Sequence, residues 1–295
     1  PPPPPPPPFQ AADGIRDVAV GLVGSEMCIR DRRNCLPCCK GTVSGMTAET
    51  HRPGYIQPEW PAPANVKALV TLRSGGYSRG PYSSFNLAEH TGDDPRAVSR
   101  NRALLREYFR LPAEPVWLEQ VHSRRVVLAD KAAYGTAADA SWTDAAGSVC
   151  AVMTADCLPV LICDRAGSRV AAAHAGWRGL HAGVVSHTVM CLECDPAQLI
   201  VWLGPAIGPG AFEVGAEVVQ AFIAKDGQNA LAFTQTDDRH WMCDLYRLAR
   251  IELDTLGVHA VFGGDDCTFT DSTRFYSYRR DGETGRMASL IWLDE

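Results

Sequence analysis

The sequence predicts an α/β fold, a single layered domain of mixed β-sheets with outer helices in an α-β-β-α-like sandwich. Three observations point there. Apolar runs of strand length alternate with helical stripes, but irregularly. Strand-like runs also follow one another directly, as in SVCAVMTADCLPVLICD at 148–164 and SRVAAAHAG at 168–176, which favours a mixed sheet over a repeated βαβ unit. Finally, 46% of the 295 residues are hydrophobic, ample for one large core.

The elements follow in order. VKALVTLR at 66–73 is rich in β-branched and aliphatic residues and stops at Gly75-Gly76, a strand and its turn. Asp93-Asp94-Pro95 opens a helix, since acidic residues suit its positive end and proline its first turn; Val98, Leu104, Leu105 and Phe109 supply its apolar stripe. Strands at 116–121 and 125–128 flank a turn at His122-Ser123. The apolar stretch from Ser148 breaks at Asp156 and again at 165–168, giving three buried strands. Helices are expected at 180–192, 214–224 and 243–256, the last starting at Asp244, and strands at 199–203, 258–262, 274–278 and 287–292. GPAIGPG at 204–210 is a loop of ordinary length and lacks the lysine of a P-loop.

Residues 1–45 read differently. Pro1 to Pro8 form no core, and VGSEMCIRDR at 23–32 resembles a peptide that arises when a sequencing adapter is translated in frame. The segment is expected to be a disordered or artefactual extension, with one catalytic domain over 46–295. The CxxCC cluster of Cys35, Cys38 and Cys39 is the competing reading, but no second ligand pair follows within this segment.

Composition narrows the function classes. A net charge of -6 argues against a general nucleic-acid binder, which needs a basic face. No apolar run approaches the roughly 20 residues that cross a bilayer. Eleven cysteines, an odd number in a long chain, fit reduced thiols and a cytoplasmic location. The expected partner is a small polar molecule, with neither nucleic acid nor membrane; oligomeric state is not legible.

Three segments place a metal-capable side chain at a strand end beside small or turn-forming residues: Gln120-Val121-His122-Ser123, Thr154-Ala155-Asp156-Cys157 and Ala173-His174-Ala175-Gly176. Taken singly, each has a bland explanation, a satisfied structural histidine or a small core cysteine.

Their context does not. LEQVH at 118–122, VMTADCLPVLICD at 152–164, AAAHAGWRGL at 171–180 and LGPAIGPGAFEVG at 203–215 resemble the laccase-domain or polyphenol oxidase family. The family is also called the purine nucleoside phosphorylase or peptidoglycan editing factor family. FNLAEHTGDDP at 85–95, CDLYRLAR at 243–250 and FYSYRRDGETGRMASLIWL at 275–293 continue the likeness in the same order.

The resemblance implies one zinc held by His122, Cys157 and His174. A fourth tetrahedral position is left open, as in catalytic rather than structural zinc sites. Zinc there acidifies water and polarises a carbonyl or leaving group. Arg178, four residues after His174 and near the start of the following helix, suits an oxyanion or phosphate. Asn86 and His90 match the family's NLGxHVGD pattern and are expected to line the pocket, although Ala88-Glu89 and Thr91 depart from it. Arg279 and Arg280 are further anion candidates with an equally good structural reading, and Asp139 is a candidate pocket carboxylate.

Copper oxidation of phenols, which the family name suggests, fits poorly. Copper clusters need many histidines, commonly in HxH pairs; this chain has eight histidines and no such pair. The leading expectation is a zinc-dependent purine nucleoside enzyme: phosphorolysis of adenosine, inosine and methylthioadenosine, and deamination of adenosine. The alternative is a hydrolase that removes misincorporated L-serine from a muropeptide precursor. In that case the zinc site, or Cys157 as nucleophile with His174 as base, acts on an amide.

Overall fold

The long apolar run at 148–164 folds back on itself, and that reversal sets the architecture. The computed structural model describes residues 51–295, so the expectations for residues 1–45 and for the Cys35–Cys39 cluster fall outside the described residues. In chain order the strands are β1 (Tyr55–Ile56), β2 (Val66–Thr71), β3 (Val126–Leu128), β4 (Ala140–Thr143), β5 (Val149–Thr154), β6 (Leu158–Asp164), β7 (Val170–Ala175), β8 (Leu199–Leu203), β9 (Glu213–Gly215), β10 (Phe233–Gln235), β11 (His240–Cys243), β12 (Ala260–Gly263) and β13 (Met287–Leu293). The α-helices are α1 (Pro95–Tyr108), α2 (Trp177–Ala182), α3 (Val184–Cys191), α4 (Ala216–Lys225), α5 (Leu245–Thr255) and α6 (Tyr278–Asp281).

Strands β12-β8-β6-β7-β4-β3 form a six-stranded mixed sheet, parallel only at its two outer pairs. An antiparallel sheet, β1-β2-β13-β5, faces it, and β10-β11-β9 form a small third sheet. β6 shows why its sequence is continuously apolar: Leu161 and Cys163 pack against Val152 and Ile291 of the facing sheet. Val160 and Ile162 turn the other way, onto Leu180, Val184 and Leu248 of the helices. A strand covered on both faces has no polar side to present. On the far side, Leu69, Ala151 and Leu290 pack on Leu105 of α1. The layers therefore run helix, sheet, sheet, helix, as expected.

Helix starts follow their caps. Asp94 accepts from Arg96 N ahead of Pro95, and Asp244 accepts from Arg247 N at the start of α5. Three expectations are corrected. The helix expected at 180–192 is two short helices, α2 and α3, divided at Gly183, whose φ of 89° ends the first. Residues 116–121 make single bridges, Val116 to Cys150 and Glu119 to Ala137, rather than a ladder strand. The segment expected as a strand at 274–278 is not one, although Phe275, Tyr276 and Ser277 are buried. Phe275 N donates to Asp271 O in a turn and Tyr276 N to the Met287 sulfur, so its backbone is satisfied without a neighbouring strand. Strands β1, β4, β9, β10 and β11 were unforeseen, β9 taking the first residues of the helix expected at 214–224; at two to four residues they carry too little periodicity to be legible.

Register positions the site. Leu158 opposes Ala175 and Pro159 opposes His174 across β6 and β7, which brings Cys157, just before β6, beside His174 and Gly176. Among the described residues, no helix is long and apolar enough to cross a membrane.

Leu161 is fully buried between the two large sheets. Leu161→Ala is expected to lower the unfolding free energy by about 3 kcal/mol, within the range for emptied leucine sites, as measured by urea denaturation.

Candidate active site

His122, Cys157 and His174 converge. One donor atom from each lies within 4.8 Å of the others, and Cys157 Sγ is 3.8 Å from His122 Nε2. Tetrahedral nitrogen and sulfur ligands at bonding distance from one ion stand roughly 3.3–3.8 Å apart, so the donor set fits a metal after a small contraction. His174 is buried, Cys157 half-buried and His122 exposed, so the triad opens to solvent on one side.

Asp139 organises the triad from behind. It is fully buried, and its carboxylate accepts from His174 Nδ1 at 2.8 Å, leaving Nε2 for a metal. The same carboxylate accepts from the backbone N–H groups of Val121, His122 and Ser123 at 3.3, 2.9 and 2.5 Å, and from the Ser123 hydroxyl at 2.8 Å. One carboxylate thus orients one ligand and shapes the turn that carries another. Asp139, expected as a pocket carboxylate, does not line the cavity; its oxygens are consumed inside the protein. Gln120 pins the other end of this turn: its amide donates to Met153 O and accepts from Met153 N, at 2.8 and 2.7 Å.

The site is polarised in the absence of metal. Burial would raise the Cys157 thiol, but the charge on His174 and hydrogen bonds from both histidines outweigh it and bring it down to about 6. Burial would likewise depress His174, yet the Cys157 charge and the Asp139 hydrogen bond raise it to about 9. For Asp139, burial is outweighed by hydrogen bonds from His174 and Ser123, which hold it below the usual carboxylate range.

Backbone geometry is tight around the triad. His122 and Asp156 adopt φ of 59° and 89°, a left-handed conformation uncommon outside glycine. For Asp156 the compensation is visible: its carboxylate accepts from Thr268 Oγ1 and Arg279 N, both at 2.6 Å, and its carbonyl from Ile207 N at 2.9 Å. At position 176 an added Cβ meets Cys157 Sγ at 2.7 Å, so glycine is required for the two segments to approach.

The triad lies in the wall of a cavity of about 490 Å³. Of the residues singled out from the sequence, Arg178, His90 and Arg279 line it. Arg178 is exposed and stacks on Trp177, 4.4 Å from the ring centroid; with α2 only six residues long, the expected helix-start contribution is slight. Arg279 is exposed and donates to Glu213 O at 3.1 Å. Arg280 is structural, spent on Asp281 and on the carbonyls of Thr268, Phe269 and Phe275. Asn86 is also corrected: it is fully buried and absent from the cavity wall. Its amide donates to Thr91 and Asp93, and its oxygen accepts from Ala88 N and Arg286 N. Sequence reasoning overlooked Arg286 and the aromatic rim of Trp177, Phe212 and Tyr278. The GRM segment holding Arg286 carried no local chemical signal beyond one basic residue before a strand.

Two measurements test this arrangement. Asp139→Asn is expected to cost about 10- to 100-fold in metal affinity and about 1–3 kcal/mol of stability through mispaired buried groups, read by chelator competition and urea denaturation. The proton balance is the second. Between pH 6 and 9 the metal-free site keeps the His174 proton while Cys157 is a thiolate. Metal uptake at pH 8 should therefore release about one proton, and affinity should fall more steeply below pH 6, where Cys157 also binds one. Calorimetry in buffers of differing ionisation enthalpy reads the release.

Comparison with known proteins finds relatives over most of the chain. The family pattern described as multi-copper polyphenol oxidoreductase laccase matches residues 67–294. A purine nucleoside phosphorylase from Pseudomonas aeruginosa is 56% identical over 242 residues, covering 82% of this chain and 99% of that protein. Purine nucleoside phosphorylase YfiH from Escherichia coli K12 is 54% identical over 239 residues, 81% of this chain and 98% of that one. A crystal structure of a Neisseria meningitidis protein superposes with a TM-score of 0.80 at 51% identity, covering 82% of this chain and all of the other. YlmD from Geobacillus stearothermophilus gives 0.77 at 31% identity, covering 82% and 97%. The multi-copper description meets a chain in which, among the described residues, His122, Cys157 and His174 are the one group placed to hold a metal. On the extent of these matches, the chain belongs to the multi-copper polyphenol oxidoreductase laccase family.

Proposed function

We propose that the protein is a zinc-dependent purine nucleoside phosphorylase that acts on adenosine, inosine and methylthioadenosine and also deaminates adenosine. The observation that carries the reading is the joining, in one cavity, of a three-donor metal group, an aromatic rim and several arginines. Relatives that bear the phosphorylase name support it at 54–56% identity.

His122, Cys157 and His174 would hold the ion; two imidazoles and a thiolate suit zinc, and a three-ligand set leaves a position open. Zinc supplies a Lewis acid there when bound. The chain's own residues do the rest. Trp177, Phe212 and Tyr278, each with an arginine over its ring, bring aromatic surface to the cavity wall for a purine. Arg178 and Arg279 set positive charge at the rim, which draws an anionic co-substrate towards the cavity without fixing where it binds. In phosphorolysis a phosphate oxygen bonds to the ribose C1′ and the C1′–N bond breaks. The base departs with the bonding pair and takes up one proton. Asp139 keeps His174 fixed throughout by its hydrogen bond.

Zinc-loaded protein is expected to release adenine from adenosine only when phosphate is present, and to form inosine without it. Absence of both products overturns the nucleoside reading and makes a serine-containing muropeptide the next substrate to assay. Cys157→Ser is expected to lose metal and activity together; retained metal with lost activity would instead make Cys157 a nucleophile.

A further inference from the structure

We propose that Arg286, His90 and Thr154 form the phosphate subsite of this cavity, a role that rests on the phosphorolysis reading. The nearby arginines differ in what they have left to give. Arg280 is committed to a carboxylate and three carbonyls, and Arg279 and Arg178 are exposed, one on a carbonyl and one on an indole face. Arg286 is half-buried and lies over the Tyr278 ring, 5.8 Å from its centroid, and its guanidinium hydrogen-bonds through Nη1 alone, to the carbonyls of Thr284 and Gly285 at 2.8 and 2.9 Å. Among the described residues no carboxylate pairs with it, and Nε and Nη2 have no acceptor. The anionic groups near it, Cys157 and Asp156, act on it through space and not by a direct ion pair, so the fork of free donors remains for an incoming oxyanion.

The neighbours fit the same ligand. Asn86 accepts from Arg286 N at 2.9 Å and ties down, through Thr91 and Asp93, the loop that carries His90. One buried amide thus sets both residues. Burial, followed by the charges of Arg286 and Arg102, pushes the His90 imidazole down, towards a neutral ring that donates a hydrogen bond without repelling Arg286. Thr154 opposes Met287, the residue after Arg286, in the β5–β13 register. Its side chain is buried in the cavity wall; the hydroxyl is closed to solvent and has no hydrogen-bond partner among the described residues, so meeting a phosphate oxygen takes a turn about its Cα–Cβ bond. A guanidinium fork, an imidazole and an unpaired hydroxyl match the several acceptor oxygens of phosphate.

The test uses the purified full chain with inorganic phosphate as probe, by calorimetry, alongside KM values for phosphate and adenosine. Arg286→Met is expected to weaken phosphate about 10- to 100-fold, with adenosine KM and metal content little changed. His90→Gln and Thr154→Val, which leave Arg286 in place, should each weaken it about 3- to 10-fold, so the assignment stays testable if Arg286→Met folds poorly. Arg286→Lys should recover part of the loss. Unchanged phosphate affinity in the His90 and Thr154 variants, or loss in Arg178→Met rather than Arg286→Met, overturns the subsite. Failure of the two proposals is distinguishable. Phosphate binding that depends on these residues without phosphate-dependent adenine release overturns the phosphorolysis reading alone. Phosphorolysis with normal phosphate KM in Arg286→Met overturns the subsite alone.

Discussion

The site hangs on the carboxylate of Asp139. It is sealed from solvent, yet it remains ionised because every direction it faces supplies a donor: three consecutive backbone N–H groups, a hydroxyl and an imidazole. A buried charge is tolerable only under such saturation. The bonds that stabilise the carboxylate are also the ones that place His122 on its turn and rotate His174 towards Cys157. Electrostatic necessity and site construction are here a single arrangement.

The two sheets supply the remaining constraint. Pairing of β6 with β7 puts Cys157 and His174 side by side, and a slip of one residue would exchange the side chains that meet the facing sheet with those that meet the helices. Because both faces of β6 are covered, that slip is forbidden by the core rather than by the site. The left-handed residues His122 and Asp156 are the cost of making sharp exits from extended segments. At Asp156 the strain is offset by bonds to two loops, at Ile207 and Thr268, and to Arg279 in α6. The floor and the wall of the cavity are therefore mechanically continuous.

Much of this was legible beforehand, for physical reasons. Long runs covered on both faces, such as β5, β6 and β7, announce themselves by unbroken apolarity, and capped helices by Asp94-Pro95 and Asp244. The triad was legible only through the company its residues keep in a family pattern, since a lone histidine at a strand end carries no address. Asp139 and Asn86 were singled out, but for the wrong side of the wall: a polar residue that supports a ligand and one that touches substrate look alike in one dimension. Arg286 went unnoticed because its significance lies in bonds it does not make, which only three-dimensional neighbours reveal. The FYSY segment misled in the opposite sense, its apolar character serving burial of Phe275 and Tyr276 rather than a ladder.

The uneven burial of the three donors has a consequence for the life of the ion. His174 is locked in the interior, whereas His122 stands in solvent on a turn whose shape is held by Asp139 rather than by any metal. An ion can leave by losing its outermost ligand first, and the cradle it vacates keeps its form. The three donors are thus placed by hydrogen bonds of the fold itself, and an ion would come and go past His122, the one donor that faces solvent.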